Sequence, residues 1–315
     1  MHGHSKIAAS RCLAKFFVVA AMLFCVSGLT GCQLINNICR KPPTTKPSIV
    51  LAQNSSLDDV INAVNNNNAK KLRFVATNAR INIEGAPVSL KSNITYEYPK
   101  KYRATGETVV SKEFDIGSNE ELFWVWFKQD PQKSIYFSRH DQYEASPMRD
   151  SFQINPDWLV EAMGMTIFQP TPREEHRLAM RTAEGHWKIE TKRPTLAGTY
   201  TKLTTVDGQT ACVLMQELYN PSGLLVASAV SPSHLVDPTT NITYPETVDM
   251  IVSMQGQQVG MRLSMGNVQF NPNGPFLGDL FLMPNYPDTR RVDISTQMGM
   301  PVVQQNFMGS PMPNP

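Results

Sequence analysis

Apolar residues recur at every second position through most of this chain, in short runs separated by turn residues. Alternation of this kind places one side of a strand in a core and the other in water. It is clear in RINIE (80–84) and continues from Val88 to Tyr98. Gly117-Ser118-Asn119 and Asp207-Gly208 supply turn residues between adjacent runs. The pattern predicts about ten or eleven antiparallel strands in consecutive order.

Two segments carry apolar residues at helical spacing instead. The first follows Ser56, which predicts a capping box with Asp59, and the asparagine run 65–68 is expected to end this helix. The second is NPDWLVEAMG (155–164), where proline suits the first helical position and glycine the end. Each helix has one apolar face, so each is expected to lie on the sheet.

Many strands in consecutive order curl or close because this avoids open sheet edges. We therefore expect a mainly β (α+β) fold, an open antiparallel half-barrel of about ten or eleven strands. The short helices are expected at or in its concave face.

The stretch ELFWVWFKQD (121–130) breaks the alternation because it is apolar on both faces. A strand held between two layers of one core explains this, and so does a strand with one face lining an apolar cavity. Aromatic residues cluster in the same half of the chain, which favours the cavity. The predicted cavity residues are Leu90, Ile94, Tyr96, Tyr98, Phe114, Leu122, Trp124, Trp126, Trp158, Leu159 and Met163.

The N-terminus has the organisation of a signal peptide. Lys6, Arg11 and Lys15 precede the apolar run FFVVAAMLFCV (16–26), which is short for a membrane span. LTGC (29–32) then resembles the lipobox of bacterial lipoproteins, whose cysteine is lipidated. We expect residues 1–31 to be removed and Cys32 to carry acyl chains such as palmitate. An ordinary secretory signal with a chance cysteine is the alternative.

Cysteine usage agrees with an extracytoplasmic chain that lacks a disulfide framework. Only Cys39 and Cys212 remain after the predicted lipidation site. One bridge between them is compatible with an oxidising compartment, but the apolar context ACVLM favours a buried thiol at Cys212. More than one acyl chain on Cys32 would anchor the protein stably to a membrane.

Composition divides the remaining chain into three parts. Residues 32–54 are rich in Pro, Thr and Asn and predict an extended tether. Residues 55–284 hold the strands and helices. Residues 285–315 are rich in Pro, Met, Gly and Gln, which predicts a disordered tail that binds an envelope partner.

Catalytic and nucleic-acid signatures are missing from the sequence. Charged residues make up 18% of the chain, the net charge is +2, and the basic residues are scattered, which argues against nucleic-acid binding. His140, His176, His186 and His234 lack metal-ligand spacing. No GxSxG, P-loop or GxGxxG motif occurs. We therefore expect no enzyme, no metal and no cofactor.

Three segments resemble the LolA/LolB-like family of lipoprotein carriers and outer-membrane lipoprotein receptors. They are YPKKYRATG (98–106) with DIGSNEELFWVWFKQDP (115–131), the helix at 155–164, and YPETVDMIVSMQGQQVGMRLSMGNVQFN (244–271). The resemblance extends over most of 56–284. It implies an open β-barrel that shelters the acyl chains of lipoproteins in a hydrophobic concavity, without covalent chemistry.

The chain departs from the carrier at one position of this pattern. Tyr98 precedes Pro99 where the carrier has an arginine that helps to latch its lid, so the resemblance does not imply carrier-type gating. The expected lipid on Cys32 is more like the membrane-anchored receptor. Gln33 is not the aspartate that marks inner-membrane retention, which favours the outer membrane facing the periplasm.

The sequence thus predicts a lipid-anchored envelope protein whose half-barrel binds acyl chains or lipoproteins in trafficking across the envelope. The alternative is a structural or interaction lipoprotein whose barrel is filled by its own side chains. The two differ in whether the concavity has room for an acyl chain.

Overall fold

The computed structural model describes residues 45–143, 146, 156–168, 174–195, 198–254 and 257–296. They belong to one compact unit within 44–315. The predicted signal peptide, Cys32, Cys39 and the first part of the predicted tether lie outside the described residues.

Three α-helical segments occur in the described part of the chain. Helix α1 spans Leu57–Asn68, α2 spans His140–Tyr143 and α3 spans Pro156–Val160, which a π-helical turn, Glu161–Met165, extends. The predicted capping box opens α1, with the Ser56 Oγ accepting from the Asp59 N–H at 3.2 Å and the Asp59 carboxylate accepting from the Ser56 N–H at 2.8 Å. Helix α1 includes all four asparagines and ends with the last of them, so the run marks the end of this helix as predicted.

Strands account for most of the described chain. The first nine are β1 Arg73–Ile83, β2 Leu90–Glu97, β3 Lys101–Glu107, β4 Lys112–Ser118, β5 Leu122–Phe127, β6 Ser134–Arg139, β7 Glu175–Arg181, β8 Trp187–Thr195 and β9 Gly198–Val206. The others are β10 Val213–Tyr219, β11 Leu225–Val230, β12 His234–Val236, β13 Thr243–Pro245, β14 Thr247–Met254, β15 Gln257–Ser264, β16 Asn267–Phe270 and β17 Arg290–Asp293.

Fifteen of the described strands form one open sheet, which confirms the predicted mainly β class with a larger number of strands than the ten or eleven expected. The order is β17-β6-β5-β4-β3-β2-β1-β15-β14-β11-β10-β9-β8-β7, and β16 also pairs with β1. Neighbours are antiparallel except β17 and β6, which are parallel. A hairpin of β12 and β13 lies outside this sheet.

The C-terminal strand corrects the predicted tail. Residues 290–293 were expected to be disordered, yet they pair with β6. Val292 and Ile294 are buried with Phe123, Tyr136 and Tyr143 in a small core. RRVDI (290–294) is a short β-compatible segment that is stabilised by long-range pairing with β6, which the proline-rich composition around it does not indicate.

The main core lies on one face of the sheet, which we call the inner face. It is built by alternate residues of β1 to β4, β11 and β14 to β16. Phe74 and Tyr96 are direct partners across β1 and β2, as are Ile94 and Ala104 across β2 and β3. Directly paired residues point to the same face. The register therefore gives this face one continuous apolar surface.

Candidate functional site

A short segment of the chain covers the inner face. We call residues 156–168 the plug. Trp158, Ala162, Met163 and Met165 of the plug are buried in the same core as the inner-face residues of the sheet. Trp158 is 5% exposed, and its indole Nε1 is buried without a hydrogen-bond partner. The plug thus places a large aromatic side chain in an apolar site, where its indole N–H has no acceptor among the described residues.

The local sequence explains the irregular shape of the plug. Proline at position 156 starts the helix, where its missing N–H costs no bond. Gly164 has φ 89°, a conformation that other residues rarely adopt. A Cβ there would lie 2.6 Å from the Pro245 Cδ atom. The glycine therefore lets the plug turn sharply against strand β13.

The asparagine run of α1 fastens the plug from outside. The Asn65 side chain donates to the Phe168 carbonyl at 2.7 Å and accepts from the Phe168 N–H at 2.8 Å. The Asn68 side chain donates to the Thr166 carbonyl at 2.5 Å. Asn67 makes the same paired contacts with the backbone of Thr243 in hairpin β12–β13. This role could not be predicted from the sequence, because asparagine runs are typical of helix ends and loops.

Polar side chains of strands β9 and β10 also bind the plug. The Gln216 amide on β10 donates to the Glu161 carbonyl at 3.0 Å and to the Thr166 hydroxyl at 3.1 Å. The Lys202 ammonium on β9 pairs with the Glu161 carboxylate at 2.5 Å. These contacts reach only the second half of the plug, which leaves Trp158 held mainly by apolar packing.

An opening leads to the Trp158 end of the plug. Two adjoining pockets there share Tyr143, Asp157 and Arg193. The inner one, of about 70 Å³, reaches Trp158 and Leu218, which pack in or against the main core. The outer one is a polar mouth of about 610 Å³. Burial raises the pKa of the Asp157 carboxyl, and the charge of Glu161 adds to the rise.

Seven of the predicted cavity residues come together in or against the main core. Leu90, Ile94, Tyr96, Phe114, Trp158 and Met163 are buried in the main core, and Leu159 packs against it. Tyr98 does not join them, because it follows the end of β2 and is 46% exposed. Leu122 is partly buried at the start of β5 and is not among the residues of that core.

Trp124 and Trp126 lie on the opposite, outer face, contrary to the prediction. In the register of β4 and β5, Phe127 pairs with the inner-face residue Phe114, whereas Trp124 pairs with Gly117. The Trp124 ring occupies the space that a Gly117 side chain would fill. Because both faces of this strand are apolar, alternation alone could not decide which face is inner.

A segment near the C-terminus covers these tryptophans. Tyr286 stacks on Trp126 with ring centroids 4.2 Å apart. Its hydroxyl donates to the Asp115 carboxylate at 2.5 Å. Asp115 is fully buried and also accepts from Arg103 at 2.8 Å. The outer face of β3 to β5 is thus closed by residues of the chain itself.

The hairpin between β3 and β4 ends in an exposed apolar tip. Val109 and Val110 are 105% and 89% exposed, and Thr108 and Ser111 close the turn with a 2.8 Å backbone hydrogen bond. Lys128 lies behind the tip and donates to the Ser111 hydroxyl at 2.6 Å. Two exposed valines at the end of a hairpin suit contact with an apolar surface.

The described residues contain no cluster of three or more histidine, cysteine or carboxylate side chains that could hold a metal ion. Within the same residues, no helix is both long enough and apolar enough to cross a membrane.

Comparison with known proteins gives likeness in structure only. No protein-family model matches the chain, and no curated protein matches it in sequence. The solved structures similar to it include a LolA superfamily protein from Nitrosomonas europaea, 12% identical with a TM-score of 0.46, covering 73% of this chain and 98% of that one. An outer membrane lipoprotein-sorting protein domain from Vibrio parahaemolyticus is also 12% identical, with a TM-score of 0.47, covering 70% and 94%.

A DUF1329 family protein from Desulfovibrio piger is similar at 13% identity and a TM-score of 0.43, covering 70% of this chain and 93% of that one. The solved structures similar to this chain thus include LolA-like proteins, the class that its sequence resembles. Because the identities and TM-scores are low, this likeness assigns no function to the chain.

Proposed function

We propose that this protein is a lipid-anchored envelope protein that binds acyl chains, free or on lipoproteins, against the inner face of its sheet. The observation that carries the proposal is the continuous apolar inner face, covered at Trp158 by a short segment with a pocket beside it. An acyl chain would enter beside Trp158, displace the first half of the plug and lie along β2 and β14. Affinity would come from apolar area removed from water, about 25 cal/mol per Å².

The polar contacts of the plug favour partial rather than complete displacement. Contacts from Asn65, Asn68 and Gln216 fasten residues after Val160. Trp158 has no such tie, and its unpaired indole N–H makes its buried position less favourable. Trp158 is therefore a side chain of the plug that a ligand displaces without breaking a side-chain hydrogen bond.

A second function is favoured by the packing itself. Trp158 and Met163 are buried against the inner face, as expected of a structural or interaction module with no ligand. The tail beyond residue 296 would then be the segment that binds an envelope partner.

Anchoring is the second part of the proposal. We infer that acyl chains on Cys32 hold the protein at the outer membrane and that the Val109-Val110 tip contacts the bilayer surface. Substitution of Cys32 by alanine tests the anchor. The variant should keep its signal uncleaved and carry no acyl chain, whereas normal maturation with continued membrane association would contradict the lipobox.

Lipid analysis tests acyl binding. Residues 33–315 behind an ordinary secretory signal would yield an unlipidated periplasmic protein that retains all described residues. Mass spectrometry of the purified protein should find co-purified fatty acids or phospholipids, and a fluorescent fatty acid should bind saturably. A protein that is lipid-free and does not bind the probe would favour the filled module.

A further inference from the structure

A second cavity, of about 330 Å³, lies away from the Trp158 opening. It is lined by the end of α1, the turn before β10 and the hairpin β12–β13 and is open to solvent on one side. Its walls combine apolar residues such as Val50, Ala63 and Val213 with the polar side chains of Asn66, Lys71 and His234. The volume is at the lower end of the range for small-molecule sites.

Lys71 is a buried lysine of this cavity that has no paired carboxylate in the described part of the chain. The residue is 4% exposed, and its ammonium donates to the Asn68 side-chain oxygen at 2.7 Å and to the Gly164 carbonyl at 2.6 Å. Both acceptors are neutral, and no carboxylate of the described residues lies within salt-bridge distance of it. A buried charge normally requires a paired countercharge. An ammonium has three N–H donors, so one remains for a ligand.

The other titratable groups of the cavity do not supply the missing negative charge. Lys70, His234 and Cys212 line it with Lys71, and no carboxylate is found among its described lining residues. Burial lowers the pKa of His234 to about 4 and raises the pKa of the Cys212 thiol, so both are neutral near pH 7. Asp207 acts on these two groups from outside the cavity.

We propose that this cavity binds a small oxyanion, a carboxylate or phosphate group, whose charge pairs with the ammonium of Lys71. The Asn66 side chain and Lys70 are further donors at the rim, and the apolar walls accommodate a short organic portion. The same chemistry occurs in free anions and in lipid headgroups. The inference does not depend on acyl binding at the inner face.

Calorimetric titration of the full chain in detergent micelles tests the proposal, with inorganic phosphate, glycerol 3-phosphate and acetate as probes. At least one probe should bind saturably, and Lys71→Met should weaken it about tenfold or more, because a charged hydrogen bond is lost. Lys91→Met is the matched control, since Lys91 is exposed on β2 away from the cavity. Tighter binding of glycerol 3-phosphate than of inorganic phosphate indicates a headgroup, and the reverse order indicates a free anion.

A second variant keeps the test decisive if Lys71→Met does not fold. Burial lowers the pKa of Lys71 to about 7, so acetate should bind the native protein more weakly as the pH rises from about 6 to about 9. Lys71→Arg should remove this dependence, because a guanidinium keeps its charge throughout. The proposal is overturned if no probe binds saturably, if Lys71→Met binds as well as the native chain, or if Lys71→Arg retains the pH dependence.

Discussion

The indole N–H of Trp124 donates to the carboxylate of Asp115 at 3.2 Å, on the outer face of the sheet. Both residues are completely buried. Arg103 and Tyr286 bind the same carboxylate. One face of β5 therefore contributes Trp124 to a buried hydrogen-bond network around Asp115. The other face of the strand packs toward the inner core.

This network predicts a large loss of stability for Asp115→Asn. Removing the charge leaves the Arg103 guanidinium, whose side chain is 16% exposed, without its partner. Breaking a buried pair in this way costs about 3–5 kcal/mol. Asp249→Asn is the control, because the Asp249–Arg262 pair is largely exposed and should contribute about 1 kcal/mol or less. Urea unfolding of both variants measures the difference, and equal losses would contradict the network.

Truncation of Trp158 should separate the ligand site from the rest of the core. Trp158→Ala and Trp187→Ala each remove a buried tryptophan whose indole N–H is unpaired, at about 3–5 kcal/mol. Trp187 belongs to a separate core beneath α1. Fluorescent fatty-acid titration should show increased binding for Trp158→Ala alone. Similar binding by both variants would indicate that the inner face is not the site.

The free energy of unfolding should depend on pH through Lys71. Burial lowers the pKa of its ammonium to about 7, from an ordinary value of 10.5. Between these values the unfolded chain binds one more proton than the folded chain, so stability rises with pH by at most about 1.4 kcal/mol per unit. Below about pH 7 both states are protonated and the rise is absent.

Lys71→Met should abolish that rise, because the variant has no titrating group at this position. Urea unfolding at about pH 7 and about pH 9 measures it, and Lys91→Met should retain the native slope. If the unfolding free energy of the native chain and of Lys71→Met changes equally with pH, burial does not lower the pKa of the Lys71 ammonium.

The exposed tip between β3 and β4 predicts a contribution to membrane contact. Changing Val109 and Val110 to serine together should weaken binding of the unlipidated chain to anionic vesicles about tenfold, since two exposed apolar side chains are lost. Val88→Ser is the control, because Val88 is also exposed but lies in the turn between β1 and β2. Flotation assays would compare them, and unchanged binding of the double variant would exclude the tip.

Local rules were sufficient for the elements whose signals are local. Alternation gave the strands and the mainly β class, and Ser56 with Asp59 gave the start of α1. Gly164, which was expected to end the second helix, leaves helical geometry with φ 89° just before that segment ends.

Long-range pairing decided the features that the sequence did not reveal. Whether Phe127 or Trp126 faces the inner core depends on the register with Phe114, which a strand apolar on both faces leaves open. Asn65 and Asn68 fasten a segment about 100 residues away. The cavity at Lys71 likewise depends on bringing α1 against β10 and β12.

Photo-cross-linking tests acyl binding most directly. A fatty acid carrying a diazirine would be irradiated with the full chain in membranes, and the modified peptides would be mapped by mass spectrometry. The proposal predicts cross-links on inner-face residues of β2 and β14 and on Trp158. Cross-links confined to the Val109-Val110 tip and the outer face, or absent from residues 45–296, would contradict it.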